Sequence, residues 1–243
     1  MYYIKVCSIF IIWGEPMKKV MMTALLTLFV SQANALAVSD LSNTDASNGL
    51  KAALIQGANK AVSNLGAVNG FFGNSQVKIL LPESMQKAEK AMRMFGMGKQ
   101  ADELVLKMNR AAEAAVPEAK ALLIDSVKKM TLADAKEILT GPQDAATQYF
   151  KKTTSLTMGE KFLPIVKSAT EKVKLAQQYN KFAEMGNKYG LVKKEDANLE
   201  QYVTQKTLDG VYLMMAQEEA AIRKDPIGQA SSLIKKVFGA ISN

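Results

Sequence analysis

Leu50-Lys-Ala-Ala-Leu54-Ile-Gln-Gly-Ala58-Asn-Lys-Ala61-Val-Ser-Asn-Leu65 sets the class of the fold. Leu50, Leu54, Ala58, Ala61 and Leu65 recur at steps of three and four, which places them on one face of an α-helix. Upstream, Ser42-Asn-Thr-Asp45 has the make-up of a capping box, with a side-chain oxygen ready for the orphan amides of a first turn. Downstream, Gly66, Gly70 and Gly73 punctuate a loop that ends the helix.

The same spacing continues along the chain. Val77, Ile79 and Leu81 alternate with Lys78 and Leu80 before Pro82; without a partner strand, this piece reads as an extended linker packed on helices. Pro82 presets a second helix through Met92 to about Phe95, closed by Gly96 and Gly98. A third begins near Lys99 and carries Leu104, Met108, Ala111, Ala112 and Ala115, with Pro117 interrupting it. Leu122, Leu123, Ser126, Val127 and Met130 mark a fourth. A short fifth follows from Thr131 to Gly141, and a sixth opens at Pro142 with Ala145, Ala146, Tyr149 and Phe150. The longest segment, Met158 to about Tyr189, shows two apolar stripes and holds Pro164 in its first two turns. Leu208, Val211, Tyr212 and Met215 form another stripe. Asp225-Pro226 is expected to cap an amphipathic C-terminal helix over 226–242. The expected fold is all-α, a single-domain helical bundle of seven or eight helices. Runs such as Ala111-Ala112-Glu113-Ala114-Ala115 let helices approach closely, and polar residues within them should be buried and paired.

The N-terminus carries a different signal. Met17-Lys-Lys-Val is followed by an apolar run to Val30, and Ala33-Asn34-Ala35 offers the small residues that a signal peptidase accepts. Residues 1–35 are read as a leader region, with Met17 as the start, a signal peptide over 17–35 and cleavage near Ala35. That implies a periplasmic or secreted product of residues 36–243. Glu15, Pro16, Lys18 and Lys19 interrupt the alternative, a membrane-spanning helix, which needs about 20 apolar residues. Cys7 and Trp13 lie before the cut, and the chain has no histidine. Beyond the leader there is no Cys, His or Trp. Ser–His and Cys–His catalysis and zinc or copper(II) sites on imidazole or thiolate are therefore excluded. Losing the leader lowers the net charge from +8 to +6. With only Arg93, Arg110 and Arg223 beyond it, the chain lacks the arginine forks of phosphate and base recognition, which argues against nucleic acid.

Several motifs in order resemble an exported bacterial helical family of unknown function, whose domain is about 200 residues long. They are Leu41-Ser-Asn-Thr-Asp-Ala-Ser-Asn-Gly-Leu50, Asn69-Gly-Phe71, Val77-Lys-Ile79 with Pro82, and Asn109-Arg-Ala-Ala-Glu113. They continue with Asp134-Ala-Lys-Glu-Ile-Leu-Thr-Gly141 and Ala145-Ala-Thr-Gln-Tyr-Phe150. The resemblance covers Leu41 to Leu213 and implies an exported helical domain but no activity. Leu80-Leu-Pro82 departs from the family pattern, which has a second proline there.

The remaining chemistry is that of carboxylates, lysines, hydroxyls and thioethers. Asn109, Arg110, Glu113, Asp134, Thr147 and Tyr149 are the candidate binding residues, within or beside the family-like motifs. Arg110 and Glu113 are three apart and can pair on one helical face. Such a pair either serves acid–base work or fixes helix register, and the second reading is favoured. Thr140-Gly-Pro-Gln-Asp144 introduces a helix whose free amides could hold an anion, though capping is the simpler reading. Met92-Arg-Met94-Phe-Gly-Met97 could offer soft ligands to copper(I), yet core packing is favoured and no metal site is assigned. Lys235, Lys236 and Phe238 on the last helix are candidates for contact with an anionic lipid surface or an envelope protein, against the reading that this helix closes the bundle. The chain is thus expected to act by binding, without cofactor or catalysis. An enzyme built on a carboxylate–arginine cleft and a purely structural envelope protein are the alternatives.

Overall fold

The chain divides into two units, residues 1–35 and 36–243. A computed structural model describes residues 42–131, 138–172, 174–188 and 198–240, all within the second unit. Among them the regular structure is helical, with no strand: α1 (Asn43–Leu65), α2 (Glu83–Met94), α3 (Gly98–Ala115), α4 (Lys120–Lys128), α5 (Ala145–Lys172), α6 (Leu175–Lys188), α7 (Leu199–Lys224) and α8 (Ser232–Gly239). One 3-10 turn, Val116–Ala119, joins α3 to α4 around Pro117. No helix among the described residues is long and apolar enough to cross a membrane.

The stripe on α1 is buried along its whole length, from Leu50 to Leu65. The Ser42 hydroxyl accepts the Asp45 amide at 3.0 Å, as the capping motif requires. α1 packs on α7, α4 and α8; α7 packs in turn on α5, and α5 on α3. The three long helices α1, α7 and α5 therefore form the middle of one continuous core. α2 and α6 cover α3 from outside. Phe150 of α5 meets Tyr212 of α7 edge-on at 6.0 Å between ring centroids. Two glycines let separate elements come close together. A Cβ on Gly49 would collide with the Val237 side chain of α8, and one on Gly210 would lie 2.8 Å from the Phe71 ring. The extended segment is as expected: Val77, Ile79 and Leu81 point inward, while Leu80 is exposed.

Three boundaries differ from the sequence reading. The helix that opens before Tyr149 does not stop before Met158. α5 runs unbroken to Lys172, with Pro164 well inside it. No glycine or proline falls between Phe150 and Met158, and the Thr154 hydroxyl donates back to the Phe150 carbonyl at 2.6 Å, so nothing there ends the helix. Pro164 lies on the exposed face, as does Glu160, whose carbonyl loses its partner and can meet water instead. The break falls later, where Lys174 takes a left-handed φ of 53° before α6. The C-terminal helix is also shorter than 226–242. Asp225 accepts the Gly228 amide at 2.9 Å in a local turn that leaves Ile227 exposed, and the cap of α8 is Ser231. The short helix expected between Thr131 and Gly141 falls mostly on residues 132–137, outside the described residues.

Candidate functional site

Asn109 and Glu113 sit one turn apart on α3 and face the loop and extended segment between α1 and α2. The fully buried Asn109 amide accepts the Ile79 N–H and donates to the Ile79 carbonyl, both at 2.8 Å, and also donates to the Val105 carbonyl at 2.7 Å. A side-chain amide thus replaces the missing strand partner of the extended segment. Glu113, 5% exposed, accepts the Phe71 amide at 3.1 Å and the Phe72 amide at 3.0 Å on Oε1, and pairs with Arg110 through Oε2. Arg110 donates onward to Asn69 Oδ1 at 2.8 Å and stands over the Phe72 ring. Asn69 has a φ of 68°, a left-handed turn conformation that asparagine tolerates. These three side chains pin the 66–82 connection to α3. The Arg–Glu pair lies within α3 and its outward contacts go to Asn69, Phe71 and Phe72, so it holds a loop to a helix.

A second cluster has the same chemistry. Glu219 of α7, 4% exposed, accepts the Ala146 amide at 3.0 Å and the Thr147 amide at 2.9 Å, together with the Thr147 hydroxyl at 2.8 Å. Those amides belong to the first turn of α5, where orphan donors and the helix dipole favour an anion. The anion is the protein's own: the helix start at Pro142 and Asp144 is capped from α7. Asp144 instead accepts Gln148 Nε2 at 2.7 Å. Arg223, one turn on from Glu219, pairs with it and donates to the carbonyls of Ile138 and Leu139, each at 3.0 Å. Its guanidinium also lies 5.5 Å from the centroid of the Phe238 ring. Thr147 is therefore placed by Glu219, while Tyr149 borders a separate cleft of about 270 Å³ lined by Ser126, Thr153, Thr154, Thr157 and Lys161. Asp134 lies outside the described residues.

Sequence reasoning missed Glu219 and Arg223. The signal was present, since Leu208, Val211, Met215 and Ile222 form an apolar stripe and Glu219 occupies the slot between the last two. A carboxylate on a buried stripe requires internal partners.

On α8, Phe238 and Val237 are buried against the bundle and Lys236 pairs with Asp45 at 2.9 Å, which holds the Asp45 carboxyl below its ordinary range. Lys235 is exposed. The methionine-rich corner departs from core packing. Met94 is 87% exposed beside Phe95 at 78%, while Met97 is partly buried against the core. Next to this corner, Arg93 pairs with both Glu89 and Asp102. Those contacts raise the arginine's pKa and hold Asp102 below the usual aspartate range. A cleft of about 500 Å³ opens there, with Phe72, Leu80 and Val105 alongside Lys78, Lys90 and Arg93. Another of about 470 Å³ lies on the other side of Leu80, against Tyr202 and Lys206 of α7. Among the described residues, no three carboxylates, histidines or cysteines converge as a metal site would need.

Residues 40–239 match a family described as "Protein of unknown function (DUF4197)", and the chain belongs to that family. The match extends beyond the stretch over which the motifs carried the resemblance and takes in α8. Comparison with curated proteins and with solved structures gave no match.

Proposed function

We propose that this chain is an exported binding protein of the cell envelope that performs no reaction of its own. The observation that supports it best is how the buried charged groups are used. Glu113 and Glu219 each spend their oxygens on two consecutive backbone amides and an arginine, and Asn109 spends its amide on the backbone. A catalytic carboxylate must bring a free lone pair or proton to a substrate. Neither glutamate lines any of the three clefts described above. What remains accessible is surface: lysines, hydroxyls and a few large apolar side chains around open clefts. Such a surface suits association with an envelope protein or a lipid, and it calls for no cofactor.

Export rests on the basic, apolar and small-residue order of Met17 to Ala35. The test is to express the natural chain, fractionate the cells and sequence the N-terminus of the product. The reading expects a periplasmic or secreted protein that starts at Leu36. A cytoplasmic product that retains residues 17–35 overturns it.

A further inference from the structure

Met94 and Phe95 are consecutive, large and almost fully exposed at the end of α2. Gly96 then turns the chain with a φ of 79°, and apart from its chain neighbours nothing lies within 4 Å of where its Cβ would stand. The corner between α2 and α3 is thus a convex, open tip. Two adjacent apolar side chains on a protrusion mark a contact that buries them elsewhere. The charges around the tip indicate what that contact is. Lys87 and Lys90 precede Met94 by seven and four residues and share its helical face, and Lys99 follows the turn. All three are exposed and form no ion pair among the described residues. Of the nearby carboxylates, Glu89 and Asp102 are committed to Arg93 and Glu103 to Lys107 and Gln178, while Glu83 lies at the far end of α2 from the tip. Lys78 stands in the adjoining cleft, which Glu89 and Asp102 also line, with its ammonium 4.1 Å from the centroid of the Phe72 ring.

We propose that this corner docks on an anionic lipid bilayer, with Met94 and Phe95 entering the interfacial region while Lys87, Lys90 and Lys99 meet lipid phosphates. A protruding apolar pair ringed by lysines is the arrangement an anionic membrane surface attracts and then solvates. A protein partner would need a pocket cut to the same convex shape. The inference deepens the binding reading above and takes the envelope compartment from it.

The sequence supplies a clean probe, because Trp13 is the only tryptophan. The full chain carrying Trp13→Phe and Phe95→Trp has its single indole at the tip. Vesicles of phosphatidylcholine mixed with phosphatidylglycerol should shift its emission to the blue, and brominated acyl chains should quench it. Pure phosphatidylcholine should do neither. Adding Met94→Gln should weaken partitioning by about tenfold. Replacing Lys87, Lys90 and Lys99 with glutamine should weaken it too and flatten its dependence on salt. An unshifted, unquenched indole on a folded protein overturns the proposal, even if the chain floats with the vesicles through its N-terminal segment. A concentration-dependent shift without vesicles overturns it in favour of a second copy of the chain. Since lipid is added to purified protein, a negative result here leaves the N-terminal sequencing result standing. A cytoplasmic product would sink the function reading whatever the vesicles show.

Discussion

Glu219 and Glu113 do the same work under different exposure. Each holds two successive amides and one arginine, but the Arg223 side chain is 10% exposed and that of Arg110 is 33% exposed. Removing the charge at Glu219 leaves a buried guanidinium without its counter-ion, which costs about 3 kcal/mol or more. At Glu113 the arginine can turn to water while a glutamine oxygen still accepts the loop amides, so the loss should be about 1 kcal/mol. Urea unfolding of Glu219→Gln and Glu113→Gln checks this order, and equal losses would contradict it. The motif Asn109-Arg-Ala-Ala-Glu113 was legible as a cluster because its members sit at helical spacing. Its partners, the backbone groups of Phe71, Phe72 and Ile79, were not, since sequence does not say which loop folds back onto which helix. Glu219 and Arg223 were hidden in another way: a glutamate four residues before an arginine looks like any surface pair until the apolar stripe on either side is noticed.

At the level of elements, periodicity located α1 and α3 well, because each has one buried face and a strong terminator; of α7 it gave only the stripe from Leu208 to Met215, within a helix that starts at Leu199. α5 was misjudged because Pro164 was assigned to a helix start. Proline is tolerated there, but also on a solvent face where the freed carbonyl can be hydrated. That tolerance still has a cost. Pro164→Ala restores the bond to Glu160 and should stabilise the protein by about 1 kcal/mol or more, read as a higher thermal midpoint. An unchanged or lower midpoint would mean that the proline's restriction of the unfolded chain outweighs the lost bond. α8 was overextended because Asp225-Pro226 looks like a helix start, whereas the aspartate closes a turn and Ser231 starts the helix. Tight packing between α8 and α1 was written in Gly49, but only the structure shows Val237 seated against it.

For the molecule as a whole, the absence of histidine has a consequence for pH. Asp45, Asp102, Glu103 and Asp125 are all held below their ordinary values, Asp45 by Lys236, Asp102 by Arg93, Glu103 by Gln178 and Asp125 by Lys129. A depressed folded pKa means stability that is present above the ordinary carboxylate range and lost as the pH falls through it. The thermal midpoint should therefore stay level between about pH 5 and 8 and decline below about pH 4. A step near neutrality would be unexplained. The all-helical architecture was legible in the sequence because it rests on many repeats of one spacing. The exposed corner at Met94 and Phe95 was not, since methionines at a helix end fit a core equally well. The central claim is that the buried glutamates are clamps, and amide hydrogen exchange tests it most directly. Phe71 and Phe72 sit in a loop, where amides ordinarily exchange fast. Held by Glu113, they should exchange nearly as slowly as Ala146 and Thr147 under Glu219, and Glu113→Ala, which removes the acceptor, should speed the loop pair far more than the Ala146–Thr147 pair. Rapid exchange at Phe71 and Phe72 in the unmodified protein would contradict the account.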